Sequence, residues 1–165
     1  MSRSVILTSE EITFKIRRIA YQIYESNIEE KEVIIAGISD NGFLLAKKIV
    51  KVLQDISPMD IVLCNVMVNK KNPLDEITTS LKPSQYENKS VVLVDDVLNS
   101  GASLIYAVRH FLNVPLKKFK TAVLVNRNHK KYPVKADFKG ISLSTSIQEH
   151  ITVEFSKNSA IAYLD

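Results

Sequence analysis

Two adjacent aspartates, Asp95 and Asp96, close an apolar run, and four residues later a small-residue segment begins, Ser100-Gly101-Ala102-Ser103 ("VVLVDDVLNSGAS"). Each half implies a chemistry. The segment leads into apolar residues at helical spacing, Leu104, Ala107, Val108, Phe111 and Leu112. It therefore opens a helix, where unpaired N–H groups and the dipole favour an anion by ~0.3–1 kcal/mol. Gly101 lets the backbone approach closely, and Ser100 and Ser103 add hydroxyl donors. The two acids repel by ~1 kcal/mol in water-like surroundings and more where desolvated, so a cation or hydrogen-bond donor is expected opposite them. A ribose 5-phosphate satisfies both halves. Its phosphate goes to the loop, its 2′- and 3′-hydroxyls donate to Asp95 and Asp96, and Mg²⁺ neutralises a neighbouring pyrophosphate. Neither G-x-x-x-x-G-K-[ST] nor G-x-G-x-x-G occurs, which excludes a P-loop and a dinucleotide fingerprint.

The elements that must position these residues follow from the pattern. Thr8-Ser9-Glu10-Glu11 has the form of a capping box, and Ile12, Ile16, Ile19 and Ile23 predict an amphipathic helix over about 9–27. Residues 32–38, 60–68, 90–94 and 121–125 are short apolar, β-branched runs and predict buried strands. Ser39 to Gly42 reads as a turn, followed by a second helix to about Leu53, and a third helix spans about 102–112. Asn69 to Asn88 carries two prolines, mixed charge and little periodicity, the character of a lid. "ISLST", "ITVEF" and "AIAYL" are shorter and more alternating, as at a sheet edge. Strands alternating with helices predict an α/β fold: a mostly parallel twisted sheet with helices on both faces. In such folds ligands bind beyond the carboxyl ends of the strands. Three polar turns, "SDNG", "DDVLNSGAS" and "NRNHKK", should share that rim.

The chain of 165 residues with net charge +4 reads as a single domain over 1–165. Its one cysteine, Cys64, lies in an apolar run and reads as a core thiol. No apolar stretch approaches the eighteen or so residues of a membrane span, and "MSRSVILTSEEIT" does not form a secretory signal, so a cytoplasmic location is expected. Eight cations between Lys117 and Lys139 face one acid, Asp137, which would attract phosphorylated substrates or RNA if the run shared a face.

"VVLVDDVLNSGAS" resembles the phosphoribosyl-pyrophosphate (PRPP) motif of the type I phosphoribosyltransferases. "LTSEEITFKIRRIAYQIYE", "AGISDNGFLLAKKI", "AVLVNRNHKKYPVKADFKGISLSTS" and "ITVEF" extend the likeness to the pyrimidine operon attenuator/uracil phosphoribosyltransferase group over nearly the whole chain. The resemblance implies the type I phosphoribosyltransferase fold, with a small hood and a flexible loop. It implies Mg²⁺ with PRPP, uracil as the base, and UMP and pyrophosphate as products. It also implies a homodimer or higher homo-oligomer and, in many members, binding to pyrimidine-operon RNA.

By the same resemblance Asp95 and Asp96 hold the ribose hydroxyls and contribute to Mg²⁺ binding, and Asn99, Ser100, Gly101, Ala102 and Ser103 hold the 5′-phosphate, with serines at Ser100 and Ser103 where threonines are usual. Ser39, Asp40, Asn41 and Gly42 form the pyrophosphate loop, although Asn41 stands where an arginine is usual. Asn126 replaces an acid beside Arg127 and His129, and Asn126, Arg127 and Phe138 are expected at the base pocket; Lys139 replaces a usual valine. The segment 66–76 lacks the tyrosine-arginine-aspartate signature of the flexible loop, where Lys70 and Lys71 are the available cations. Turnover of uracil is therefore one expectation. The other is a PRPP- or nucleotide-sensing regulator on pyrimidine-gene RNA, with little or no catalysis.

Overall fold

The computed structural model describes residues 3–165. Its central layer is a six-stranded sheet. Four strands follow the β-branched runs: β2 (Glu32–Ile38), β3 (Asp60–Met67), β5 (Ser90–Leu98) and β6 (Lys118–Arg127). With β7 (Phe138–Leu143) they pair in parallel in the order β3-β2-β5-β6-β7, and β4 (Thr78–Thr79) adds an antiparallel edge beside β3. Parallel strands need both faces covered. On one face lie α1 (Ser9–Ser26) and α2 (Ser39–Ile56), through Ile12, Ile16, Ile19, Leu45, Ile49 and Leu53. On the other lies α4 (Ala102–Phe111), through Leu104, Ala107 and Phe111. The capping box holds α1 as expected: Glu11 N–H donates to Thr8 Oγ1 at 3.3 Å and Thr8 N–H to the Glu11 carboxylate at 2.8 Å.

From β2 the chain steps one way to β3, then returns to place β5 on the other side of β2. The strand order reverses at the β2–β5 boundary, and a crevice opens at such a reversal beyond the carboxyl ends. Ser39–Gly42 follows β2 and Asp95-Asp96 lies in the carboxyl-terminal half of β5, so the topology brings these two segments to one place.

Four local expectations are corrected. The strand predicted over 90–94 runs on through both aspartates to Leu98, because the structure buries carboxylates that charge alone would leave at a strand end. The predicted turn at Ser39–Gly42 is already the start of α2, with Asp40 alone forced to φ 38°, ψ −102°. The segment Asn69–Asn88 is irregular only in its first half. Beyond it come β4 and a short helix, α3 (Pro83–Tyr86), whose Tyr86 is fully buried 4.9 Å from the Phe111 ring. One buried side chain in a four-residue helix leaves no periodicity to read. Finally, "ITVEF" and "AIAYL" do not edge the main sheet. As β8 (Ile151–Phe155) and β9 (Ala160–Leu164) they form a separate antiparallel sheet with β1 (Ser4–Leu7), in the order β1-β9-β8. This is the small hood.

Gly37 shows how tightly β2 meets α2. A Cβ there would lie 2.6 Å from Phe43 Cα and 2.7 Å from both Ala46 Cβ and the Gly42 carbonyl oxygen. Because two of these are backbone atoms, Gly37→Ala must shift α2. It is expected to destabilise the fold by roughly 1–3 kcal/mol, read as a lowered midpoint in thermal unfolding; an unchanged midpoint would contradict this packing.

Candidate functional site

Asp95 is 4% and Asp96 8% exposed. Two carboxylates so deeply buried require partners. Lys70 Nζ supplies the cation, donating to Asp95 Oδ1 at 3.1 Å and lying 3.6 Å from Asp96 Oδ1. Asn41 Nδ2 donates to Asp96 Oδ2 at 3.2 Å, and the Asp96 N–H donates to Asp95 Oδ1 at 2.9 Å. Burial nevertheless dominates at Asp95 and pushes its carboxyl up to about 7, with Lys70 opposing the shift and Asp96 adding to it. Burial works to lower Lys70, but the two carboxylates more than reverse it, and its ammonium is held above the usual lysine range.

Beside the pair, Asn99 to Leu104 curve around a cavity of about 220 Å³ that Lys70, Asp95, Val97 and Val123 also line. Gly101 is the N-cap of α4 at φ 86°, a left-handed conformation that favours glycine. A Cβ there would also meet Val134 Cγ1 at 2.6 Å. The Ser100 carbonyl accepts from the N–H groups of Lys131 (2.8 Å) and Tyr132 (3.1 Å), so the loop is braced from behind. Ser100 Oγ accepts from the Ala102 N–H at 3.2 Å, and no side chain caps the helix. The uncapped N-terminus faces the cavity, where its free N–H groups could receive an anion.

The loop after β2 closes the other side. A Cβ on Gly42 would stand 3.0 Å from Asp95 Oδ1 and from the Val94 carbonyl oxygen, so this backbone lies directly on the acid pair. Asn41 Nδ2 also donates to the Val153 carbonyl at 2.7 Å, tying the hood strand β8 to Asp96. Ser39 Oγ turns away from the cavity: it donates toward the carbonyls of Val66 and Val68 and accepts from the Val68 N–H. Asp40 carries the left-handed strain between them.

At the carboxyl end of β6, buried Arg127 donates to Thr145 Oγ1 (2.6 Å), the Ser146 carbonyl (2.8 Å) and Asn99 Oδ1 (3.4 Å). The His129 ring contacts the Thr145 carbonyl. Buried Asn126 donates to Ser142 Oγ at 3.2 Å, and its Oδ1 has no partner. Thr145 and Ser146 were not singled out from the sequence, since nothing in a polar loop marks it as Arg127's partner. Phe138 corrects an expectation. It is the first residue of β7, paired with Ala122, and packs into the core on the α1–α2 face. A residue at the amino end of a parallel strand starts far down the sheet from the rim, so Phe138 does not join Asn126 and Arg127. Lys71 is exposed and has no ion pair among the described residues. The basic run divides as well. Lys117 pairs with Glu30 and Lys118 donates to the Ser26 carbonyl at the amino end of β6, while Lys130 and Lys131 lie beyond its carboxyl end, roughly 30 Å away for ten extended residues. Cys64 is buried and its thiol pushed up by burial, as a core residue should be.

Residues 2–158 match the family model described as the phosphoribosyl transferase domain. The chain belongs to the phosphoribosyl transferase family. It is 30% identical over 157 residues to the "Bifunctional protein PyrR" of Streptococcus agalactiae, covering 93% of this chain and 91% of that protein. The protein of the same name from Chloroflexus aurantiacus is 29% identical over 164 residues, covering 94% and 90%. Among solved structures, the hypoxanthine phosphoribosyltransferase of Trypanosoma cruzi superposes with a TM-score of 0.76 at 15% identity, over 96% of this chain and 95% of that one. A hypoxanthine-guanine phosphoribosyltransferase from Bacillus anthracis gives 0.72 at 17%, over 86% and 82%. These structural likenesses establish the phosphoribosyltransferase fold.

Within that fold, no group of three or more His, Cys, Asp or Glu side chains among the described residues is placed to hold a metal ion. The donors fit Mg²⁺ that arrives with phosphate, because that ion takes one or two carboxylates and completes its shell with phosphate oxygens and water.

The buried acid has a consequence for stability. Between the unfolded value of 3.8 and the folded value of about 7, the folded chain keeps a proton that the unfolded chain has lost. Asp95 therefore costs stability increasingly as pH rises from about 4 to 7, on the order of a few kcal/mol in full. Asp95→Asn is expected to unfold at a higher temperature than the parent at pH 8, with the gain disappearing near pH 4. Equal midpoint differences at the two pH values would contradict it.

Proposed function

We propose that this phosphoribosyl transferase family member binds Mg-PRPP and transfers its ribosyl 5-phosphate to uracil, giving UMP and pyrophosphate. The observation that carries the reading is the convergence of two buried carboxylates and an uncapped helix N-terminus on one cavity at the strand-order reversal. In this reading Asn99 to Ser103 bind the 5′-phosphate through backbone N–H groups and hydroxyls. Asp95 and Asp96 accept hydrogen bonds from the ribose 2′- and 3′-hydroxyls and orient C1′ toward the base. Ser39 to Gly42 present backbone N–H groups to the diphosphate. Mg²⁺, held by the diphosphate with Asp95 and Asp96 near it, supplies electrostatic stabilisation of the leaving group.

The reaction breaks the bond between C1′ and the diphosphate oxygen and forms one from C1′ to N1 of uracil, which loses its proton. Charge develops on the sugar ring and the leaving diphosphate, so fixed dipoles and exclusion of water carry the catalysis. The unpaired Asn126 Oδ1 supports a base with an N–H to donate, which suits the N3–H of uracil. Arg127, joined to both Asn99 and the Thr145–Ser146 loop, would hold the base side of the cavity against the phosphate loop.

One observation favours the second reading, a nucleotide-sensing regulator on pyrimidine-gene RNA. Asn41 brings no charge to the diphosphate loop and spends its amide on Asp96 and Val153. The divided basic run removes the surface first expected for RNA. Self-association into a homodimer or larger assembly is part of the proposal, supported by Phe14 and Tyr21 exposed on one face of α1. No helix among the described residues is long and apolar enough to cross a membrane, and a cytoplasmic site of action agrees with a substrate drawn from nucleotide metabolism.

The test is pyrophosphate release with Mg-PRPP across a panel of bases. Uracil is expected to support turnover, and the double variant Asp95→Asn with Asp96→Asn to lower PRPP affinity at least 100-fold while keeping the fold by circular dichroism. PRPP binding without turnover on any base would select the regulator. Retained PRPP affinity in the double variant would overturn the assignment of the acid pair.

A further inference from the structure

The segment 69–77 is a strap with its own internal order. Asp75 accepts through both carboxylate oxygens, from Asn69 Nδ2 at 2.7 Å and Asn72 Nδ2 at 2.6 Å. Asn69 Oδ1 accepts from the Lys71 N–H at 3.0 Å, and two turns bond Asn72 N–H to the Asn69 carbonyl and Asp75 N–H to the Asn72 carbonyl. The strap is anchored where it leaves β3, because Ser39 Oγ bonds both sides of Val68. Within residues 69–77 only one side chain, in the first of these turns, reaches the cavity. Lys70 Nζ lies 3.1 Å from Asp95 and 3.6 Å from Asp96, and it lines the same cavity as the phosphate loop.

That nitrogen stands where the proposed ribose hydroxyls would donate. An ammonium is a compact charge with three donors on a flexible stem, and the Lys70 side chain is half exposed, so it can leave without unpacking the core. We propose that Lys70 is an internal occupant of the ribose subsite: its strap keeps the acid pair filled until a diphosphate-bearing sugar draws the ammonium from the carboxylates to the diphosphate. The inference rests on the functional reading above, and it names the regulation of that site. It also supplies what Asn41 does not, a cation for the leaving group.

Two ligands distinguish the roles. Ribose 5-phosphate must displace Lys70 and offers no diphosphate in return, so its affinity is reduced by the fraction of molecules in which the strap is closed. Mg-PRPP displaces Lys70 and then gains it. Lys70→Met keeps the stem and removes the charge. Calorimetric titration of the full chain is expected to show ribose 5-phosphate, with chelator present, binding the variant about 3- to 10-fold more tightly than the parent. Mg-PRPP is expected to bind the variant more weakly. Lys70→Arg should restore the parent's order for both. Hydrogen exchange over residues 69–72 should accelerate when ribose 5-phosphate is added to the parent and not when it is added to Lys70→Met.

Equal or weaker binding of ribose 5-phosphate to Lys70→Met would overturn the proposal while leaving PRPP binding by the parent intact. Binding of ribose 5-phosphate by the variant alone would support it. Silence of both proteins toward both ligands would overturn the functional reading itself, and this inference with it.

Discussion

The burial of two adjacent carboxylates within the carboxyl-terminal half of β5 is the constraint on which the rest of this site depends. An unpaired carboxylate in a protein interior is costly enough that it either takes a proton or recruits donors. Here the molecule does both. Asp95 titrates near neutrality, and donors converge on the pair from Asn41 in α2's first turn, from Lys70 on the strap and from the Asp96 N–H. Each of those donors belongs to a segment with another duty. Asn41 also fixes the hood, and Lys70 fixes the strap. The acid pair is thus the point at which sheet, hood and strap are joined.

The arrangement follows from topology. Only where the strand order reverses does the end of one strand lack a crossover helix over it, and β2 and β5 meet at that reversal. The Asn99–Ser103 loop is held from behind by residues 131–134 and cannot carry a side chain at Gly101. The Ser39–Gly42 side is held by a strained Asp40 and by Gly42 set against Asp95. Preorganisation of this kind lets a site stabilise developing charge without rearranging at the moment of reaction. The strap, with its half-exposed lysine and self-contained turns, is the part that the proposed displacement would move.

Much of this was legible in the sequence, and the failures have physical causes. The β-branched runs gave the parallel strands, the isoleucine spacing gave α1, and the acids beside a small-residue loop gave the cavity's two halves. The end of β5 was misplaced because charge normally stops a buried strand, and here the charges are the buried feature. The small hood was expected, but β8 and β9 were set at the edge of the main sheet because pairing among short strands is decided by distant partners: Val5 meets Tyr163 across nearly the whole chain. Phe138 was put at the base by resemblance to a family segment, whereas its place at the start of β7 sends it to the core. Lys70 was visible only as a cation in an odd loop. Its contact with Asp95 spans twenty-five residues and no local pattern encodes it.

The central claim is that Asp95-Asp96 and the Asn99–Ser103 loop form a single ribose-phosphate site. It is tested most directly by following backbone amide resonances of the protein during titration with Mg-PRPP. The account predicts saturable shifts centred on residues 99–104 and 39–42, with Asp95 and Asp96 among those affected and the amino end of β6 unchanged. Shifts absent from 99–104, or centred instead on a different face such as the groove between α1 and α2, would contradict it.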